Sequence, residues 1–401
     1  MKADKSGVLT GSHILSGNEA CAEGALAAGC RFLGLYPIVP SLEVSKRFLQ
    51  RAPEVGATFI QMEDEVSALA AVLGASWTGK KSMTVTSGPG FSLMMEHLGL
   101  GVMLETPCVI VEIQMVGPGL GLPTRPAQGD IMQSRWGSHG DYEIIAFAPS
   151  SAQEMFDFTI KAFNLSERYR VPVALMSDAY VAQLKEKVAI PSADQINIEP
   201  RRYYGGPRDS YLPFKRDEDF VPPMVDIGQG YRFHVTGLTH DDRGYPIMFE
   251  ECQEYNVHPL VRKIRDFTDK IIDIEEKNTN DAEVVIISYG VSSRASLKVV
   301  EQARSKGHKV GSLKLNTVWP FPEKRVAELA SQVKAFVVPE MNFGQVVQEV
   351  ERSAYGKANI FFLTHGDNGV EYAGDILAAV EEASQMKETK CGITEWKKRS
   401  A

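Results

Sequence analysis

The sequence predicts an α/β protein of two unequal units, each a doubly wound parallel sheet, separated by an irregular stretch. Three observations lead there. Short β-rich runs alternate with helix-like segments from residue 13 to 185. Proline and glycine breakers then interrupt every regular pattern between residues 190 and 280. From Asp281 the alternation resumes in a smaller unit. Strands alternating with helices at this spacing need crossover connections, which make neighbouring strands parallel and bury them on both faces. The expected divisions are 1–190, 191–280 and 281–401.

In the first unit the β-rich runs are 31–36, 58–61, 82–86, 108–113, 143–147 and 171–176. Segments 63–77 and 90–102 between them have helical character. Ser151-Ala152-Gln153-Glu154 reads as a capping box that opens another helix. The middle stretch contains Gly205-Gly206-Pro207, Leu212-Pro213-Phe214 and Val221-Pro222-Pro223. It also carries Tyr203, Tyr204, Tyr211, Phe214, Tyr231 and Phe233, too aromatic for a solvated linker. Such a segment offsets its ordering entropy by packing against something, either a partner subunit or its own domain. Residues 259–276 read as a helix leading into the last unit. There the expected strands are 284–288, 309–315, 335–338 and 360–363, with helices at 292–305, 322–331, 344–355 and 375–383; the polar tail after Glu388 is expected to fray.

The 401 residues carry 43 Lys and Arg against 51 Asp and Glu, a net charge of −8. No basic block gives an electrostatic reason to bind nucleic acid or an anionic membrane. A hydrophobic share of 44% with 23% charged residues is ordinary globular usage and excludes disordered and fibrous classes. The opening MKADKSGVLTG lacks the apolar run of a signal peptide. The most apolar stretch, 91–116, is broken by Glu96, His97, Glu105 and Glu112, so no membrane span is expected. The expectation is a soluble, cytoplasmic protein. Its five cysteines, Cys21, Cys30, Cys108, Cys252 and Cys391, form no C-x-x-C pair. They read as reduced thiols, with no metal or cluster site built by this chain alone.

Several strand-end loops carry candidate chemistry. Tyr36-Pro37-Ile38-Val39-Pro40-Ser41 is a turn fixed by two prolines, with Ser41 placed to cap the next helix. Glu63-Asp64-Glu65 opens the helical segment 63–77. Acidic residues suit a helix N-terminus, yet the rest of that segment is apolar and small, so an acid entering it needs a partner. Thr86-Ser87-Gly88-Pro89-Gly90 marks another strand-to-helix junction; its glycines permit close backbone approach, and no Walker lysine follows. Gly117-Pro118-Gly119-Leu120-Gly121 lacks the nicotinamide fingerprint. Gln128-Gly129-Asp130 and the loop of Trp136, His139 and Asp141 add polar groups among glycines; His139 has the most site-like setting of the eight histidines.

Taken together and in this order, the loops resemble the alpha subunit of the 2-oxoacid:ferredoxin oxidoreductases, a thiamine-diphosphate family. The matching text is Gly17-Asn18-Glu19-Ala20, 34–41, 63–75, 84–93, 117–141, His234-Val235-Thr236-Gly237, 239–246, Trp319-Pro320-Phe321-Pro322 and Val338-Pro339-Glu340-Met341-Asn342, which spans essentially the whole chain. The resemblance implies that 1–190 binds the aminopyrimidine of thiamine diphosphate and that 281–401 is a transketolase C-terminal-like domain. It also implies a beta subunit supplying the diphosphate site, Mg2+ and a [4Fe-4S] cluster, gamma- and delta-type subunits, coenzyme A as co-substrate, and ferredoxin or a flavoprotein as acceptor. By motif position Glu65 is the carboxylate that bonds the aminopyrimidine and favours the tautomer whose nitrogen takes the thiazolium proton. Pro37, Ser87, Gly88 and Pro89 fall at cofactor positions, and Ile38, Val39, Met115, Leu120, Arg125 and His139 at substrate positions.

Two departures from the family text stand out. Its Tyr-Pro-Ile-Thr-Pro has Val39 where the threonine stands, and the arginine that meets the substrate carboxylate is Met115, with Gly119-Leu120 in place of Ser-Thr. A lost charged hydrogen bond costs roughly 1.5–3 kcal/mol. These apolar replacements lead to two expectations. One is a bulkier, hydrophobic or aromatic 2-oxo acid such as an aryl glyoxylate, held by Arg125 or by the beta subunit. The other is a non-catalytic or repurposed alpha-like subunit.

Overall fold

The computed structural model of the chain describes residues 1–364, 372–386 and 392–396. Strand β1 (Gly11–Ser16) runs into helix α1 (Gly17–Ala27), then β2 (Cys30–Leu35), α2 (Leu42–Val55), β3 (Thr58–Gln61) and α3 (Glu65–Trp77). Next come β4 (Lys81–Thr86), α4 (Pro89–Leu93), α5 (Met95–Met103), β5 (Cys108–Val116), β6 (Leu122–Pro126) and α6 (Ile131–Trp136). The unit closes with β7 (Ile145–Phe147), α7 (Ala152–Tyr169), β8 (Pro172–Asp178), α8 (Ala179–Gln183) and β9 (Lys185–Ile190), which pairs antiparallel with β1.

The full capping box of this unit is at α1, where Ser16 Oγ accepts the Glu19 N–H and the Glu19 carboxylate accepts the Ser16 N–H at 2.8 Å. At α7 only half of the expected box forms. Ser151 caps Glu154 N–H, but the Glu154 carboxylate turns to the Ser150 N–H and hydroxyl.

The linking stretch contains little regular structure and packs on its own first unit. Arg170, fully buried, donates from Nε to Glu105 O and from Nη1 to Pro213 O and Pro222 O. Arg201 forms a bidentate pair with Glu167 at 2.8 and 2.9 Å. Tyr211 sits among Tyr204, Tyr231 and Phe233 at ring distances of 5.3–5.5 Å. The helix expected at 259–276 is displaced. Helix α9 (Glu250–Arg265) contains Pro259 in its interior, and the Tyr255 carbonyl that Pro259 cannot satisfy accepts from Arg216. After α10 (Thr268–Ile271), residues Ile274–Lys277 form strand β10, set by antiparallel pairing with a strand far along the chain, a contact that local propensity does not contain.

The second unit runs β11 (Val284–Ser288), α11 (Ser292–Ser305), β12 (Val310–Leu315), β13 (Thr317–Trp319), α12 (Glu323–Ala330), β14 (Ala335–Glu340), α13 (Val346–Ala354), β15 (Asn359–Thr364), α14 (Tyr372–Ser384) and β16 (Ile393–Glu395). Part of the tail expected to fray is thus the edge strand β16, parallel to β15; Cys391 lies outside the described residues. Its sheet has the order β10-β12-β11-β14-β15-β16, parallel except for β10. Val284, Ile286, Val337 and Phe361 pack on α11 and α14, while Val285, Ile287, Phe336 and Ile360 on the other face join the core of the first unit.

The first sheet has the order β13-β7-β8-β5-β4-β2-β3, with β6 paired to β5 outside that path. Strand β13 therefore leaves the second unit and extends the first sheet, and Trp319 Nε1 donates to Ile131 O at 3.0 Å. No helix among the described residues is long and apolar enough to cross a membrane. Burial pushes the Cys21 and Cys30 thiols up to about 12 and the Cys108 thiol higher still, so these cysteines stay protonated and inert.

Candidate active site

Strands β5, β4, β2 and β3 are parallel neighbours, so their carboxyl ends share one edge of the sheet. Open α/β sheets bind ligands beyond such an edge. The four loops leaving it are the turn of residues 36–41, the Glu63-Asp64-Glu65 entry to α3, the junction of Ser87, Gly88 and Pro89, and the glycine loop 117–121.

The three acids divide their roles. Asp64 is the N-cap of α3, its carboxylate accepting the Ser67 N–H at 2.7 Å, and Glu63 is exposed. Glu65 alone turns inward, 4% exposed. Burial, with Asp64 beside it, raises its ionisation above the ordinary glutamate value, and no cation among the described residues counters the shift. A buried carboxyl without a positive partner is suited to accept a hydrogen bond from a ligand nitrogen. Gly90 makes room for it, since a methyl group there would overlap both Glu65 Oε1 and Thr86 Oγ1. Thr86 Oγ1 and Ser87 Oγ are buried with no hydrogen-bond partner among the described residues.

The proline turn is held from below. Asn18 Nδ2 donates to Pro40 O at 3.0 Å, and the Ser41 hydroxyl donates back to Ile38 O at 2.9 Å. Ser41 is the N-cap residue of α2, but its side chain accepts no helix N–H, so the capping expectation fails while the turn is fixed by the same hydroxyl. Pro37 and Ile38 are half-buried, and Val39 is 49% exposed. Met115 is buried at the end of β5 and reaches Gly88, where a Cβ would sit 3.1 Å from Met115 Cε. Leu120 is exposed at the tip of its loop, and Arg125 is exposed on β6, next to the Pro126 that pairs with Met115. His139 is exposed in the loop after α6, with no hydrogen bond of its ring recorded among the described residues.

Two family models match successive parts of the chain. Residues 23–256 match the family described as pyruvate flavodoxin/ferredoxin oxidoreductase, thiamine diphosphate-binding. This chain belongs to the 2-oxoacid:ferredoxin oxidoreductases, as an alpha-type subunit. Residues 282–374 of the subunit match the pyruvate:ferredoxin oxidoreductase core domain II. The subunit is 50% identical over 356 residues to the 2-oxoglutarate synthase subunit KorA of Methanothermobacter marburgensis, covering 88% of this chain and 94% of that one. It is 35% identical over 375 residues to the ketoisovalerate oxidoreductase subunit VorB of Methanothermobacter thermautotrophicus, covering 93% and 98%. The 2-oxoglutarate:ferredoxin oxidoreductase structure from Magnetococcus marinus, with 2-oxoglutarate, coenzyme A and succinyl-CoA bound, superposes with a TM-score of 0.88 at 31% identity. The match covers 94% of this chain and 66% of that one. None of these names concerns an aromatic 2-oxo acid, so the aryl glyoxylate expectation finds no support among them.

Sequence reading of the oxidoreductase subunit missed the polar ties beneath the site. Gln128 exchanges backbone and side-chain bonds with Met341, and its Nε2 donates to Tyr289 O. Asn342 Nδ2 donates to Gln128 O at 2.7 Å, while the buried Glu340 carboxylate gathers the Tyr289 hydroxyl and the N–H groups of Val346 and Val347. Asp178, at the end of β8, accepts the Val291 N–H at 2.8 Å, and burial raises its carboxyl to about 6. The sequence signal was the pair of motifs around Gln128 and Asn342; what it lacked was that one motif docks on the other.

Proposed function

We propose that this chain is the alpha subunit of a multisubunit 2-oxoacid:acceptor oxidoreductase whose substrate is 2-oxoglutarate. The overall change consumes the 2-oxo acid and coenzyme A, releases CO2 and the acyl-CoA, and delivers two electrons to iron–sulfur centres of partner subunits. From there the electrons pass to ferredoxin or to a flavoprotein. Support for this substrate comes from the 50% identity to a 2-oxoglutarate synthase subunit. The enzyme works in the cytoplasm, and the divisions at 1–190, 191–280 and 281–401 are its cofactor-facing domain, connecting arm and docking domain.

The observation that carries the reading is Glu65: a buried carboxyl at the carboxyl edge of the sheet, set against Gly90 and the Thr86 hydroxyl, which has no partner among the described residues, and countered by no cation among them. These residues fit the aminopyrimidine end of thiamine diphosphate, which needs an acceptor for one ring nitrogen and a close, flat wall. When bound, the cofactor supplies an acidic C–H whose deprotonation gives the nucleophile for the keto carbon. Glu65 would accept from a nitrogen of the aminopyrimidine and so favour the tautomer able to take up this proton. Pro37, Ser87, Gly88 and Pro89 form the wall, while Ile38, Val39, Met115, Leu120 and His139 border the substrate. Arg125 supplies the carboxylate contact that Met115 cannot make. The beta subunit completes the site with the diphosphate and Mg2+ ligands and a [4Fe-4S] cluster, and gamma- and delta-type subunits complete the coenzyme A and electron paths.

The assembled complex, given coenzyme A and an artificial electron acceptor, should be assayed with 2-oxoglutarate, pyruvate, 2-oxoisovalerate and phenylglyoxylate. The expected result is a kcat/KM for 2-oxoglutarate roughly tenfold or more above the others. A preference for another acid overturns the substrate assignment. No turnover with no bound thiamine diphosphate supports the non-catalytic alpha-like subunit instead.

A further inference from the structure

Below the cofactor-facing turn two acids meet for which neither the mechanism nor any motif gives a reason. Glu112 lies on β5, opposite Thr86 of β4 and Met176 of β8, and is fully buried. Its Oε1 accepts the Gly88 N–H at 2.6 Å, and its Oε2 is buried with no N–H or hydroxyl donor among the described residues. Asp130 is the N-cap residue of α6, the position where an aspartate ordinarily accepts a helix N–H. Its side chain makes no cap bond; it is turned toward Glu112, and its Oδ2 is likewise buried without a donor. The Asp130 N–H is held by Gln114 Oε1 at 3.1 Å.

Two carboxyl groups in hydrogen-bonding reach of one another, out of water, cannot both be ionised. We propose that Glu112 and Asp130 share one proton, Glu112 donating to Asp130, and that this acid pair is the positioning device for the turn of Ser87 and Gly88. This rests on the reading of that turn as part of the thiamine diphosphate site. The pair satisfies an N–H at a residue whose φ is +41°, and it joins that turn to the loop of residues 128–130. That loop is also where the second unit docks, through Met341, Asn342 and Gln345. Seating of the second unit and the shape of the cofactor turn are therefore linked through one shared proton.

Ionisation of Glu112 is raised well above its ordinary range, first by burial and then by Asp130, with the Gly88 N–H opposing; that of Asp130 is raised by burial. Among the described residues no other charged or titratable group acts on either acid; the groups bonded to them are Gly88, Gln114 and each other. The folded chain thus keeps a proton that the unfolded chain releases near the ordinary glutamate value of 4.5. Above that value the folded state binds more protons than the unfolded one, so the pair's contribution falls as pH rises and is gone beyond its folded ionisation. Gln at position 112 keeps both bonds at every pH: its carbonyl accepts from Gly88 and its amide donates to Asp130.

The test uses the assembled complex and two readouts from neutral to alkaline pH, the dissociation constant for thiamine diphosphate and the melting temperature. In the wild type, cofactor affinity should fall by up to about tenfold per pH unit once the pair ionises. Glu112→Gln should bind within about twofold of wild type at neutral pH and lose the alkaline fall in both readouts. Glu112→Ala, which strands the Gly88 N–H and an unprotonated Asp130, should bind roughly tenfold or more weakly. An alkaline fall in Glu112→Gln identical to the wild type, or wild-type binding by Glu112→Ala, overturns the proposal. If the wild-type complex binds no thiamine diphosphate, the functional reading fails. The melting profiles then decide the acid pair: a flattened profile in Glu112→Gln supports it, and an unchanged one overturns it.

Discussion

At the scale of single residues, the site depends on what is missing as much as on what is present. Glu65 can sit inward because position 90 has no side chain, and because Asp64 has taken over the capping of α3. Adding one methyl group isolates this effect. Gly90→Ala should lower stability by about 1–3 kcal/mol through overpacking. It should also slow turnover of the assembled complex, since the added carbon displaces either the carboxylate or the Thr86 hydroxyl. Thermal melting and the turnover of the complex check both; an unchanged melting temperature with wild-type turnover contradicts the cradle. Much at this scale was legible. The apolar small-residue helix marked its acidic entry, the family resemblance picked Glu65 from Glu63, Asp64 and Glu65, and strand-end glycines marked the junction at Ser87. The acid pair of Glu112 and Asp130 was not legible, because a glutamate in the middle of a strand declares nothing until its neighbour across the sheet edge is known.

At the scale of elements, the irregular stretch and α9 are anchored by one buried charge cluster. Glu105, fully buried, accepts from Lys263 of α9 at 3.0 Å and from Arg216 at 2.8 Å. Burial alone would raise its ionisation, but Lys263, Arg216 and Arg170 reverse this and hold the carboxyl at about 2. Its folded value is therefore depressed. The stabilisation is complete above the ordinary 4.5 and is lost as pH falls from there through about 2. Glu105→Gln, which leaves buried cations uncompensated, should cost about 3–5 kcal/mol near neutral pH and should lack this acid-dependent loss. Denaturant unfolding of the full chain across that pH range checks it; matching slopes for variant and wild type contradict it. Parallel strands were read well because their β-branched runs are local signals. The strands β1, β6, β9, β10, β13 and the parallel edge strand β16 were not, since edge and antiparallel pairings depend on partners distant in sequence.

At the scale of the whole molecule, the two sheets are tied to one another at two places. Strand β13 completes the first sheet from within the second half, and the loop at Gln128 receives the turn at Glu340 and Asn342. Val39, Leu120, Leu122 and Trp136 are exposed, and on the proposed reading the carboxyl edge of the first sheet is a half-site that a partner subunit completes. The central claim is that Glu65 drives proton removal on a cofactor shared with a partner subunit. The most direct measurement is hydrogen–deuterium exchange at the thiazolium C2 of thiamine diphosphate bound to the assembled complex, in wild type and in Glu65→Ala. The account predicts that the variant assembles and retains cofactor but exchanges at least ~100-fold more slowly, with decarboxylation lost alongside. Exchange at the wild-type rate in a Glu65→Ala complex carrying its cofactor would contradict it.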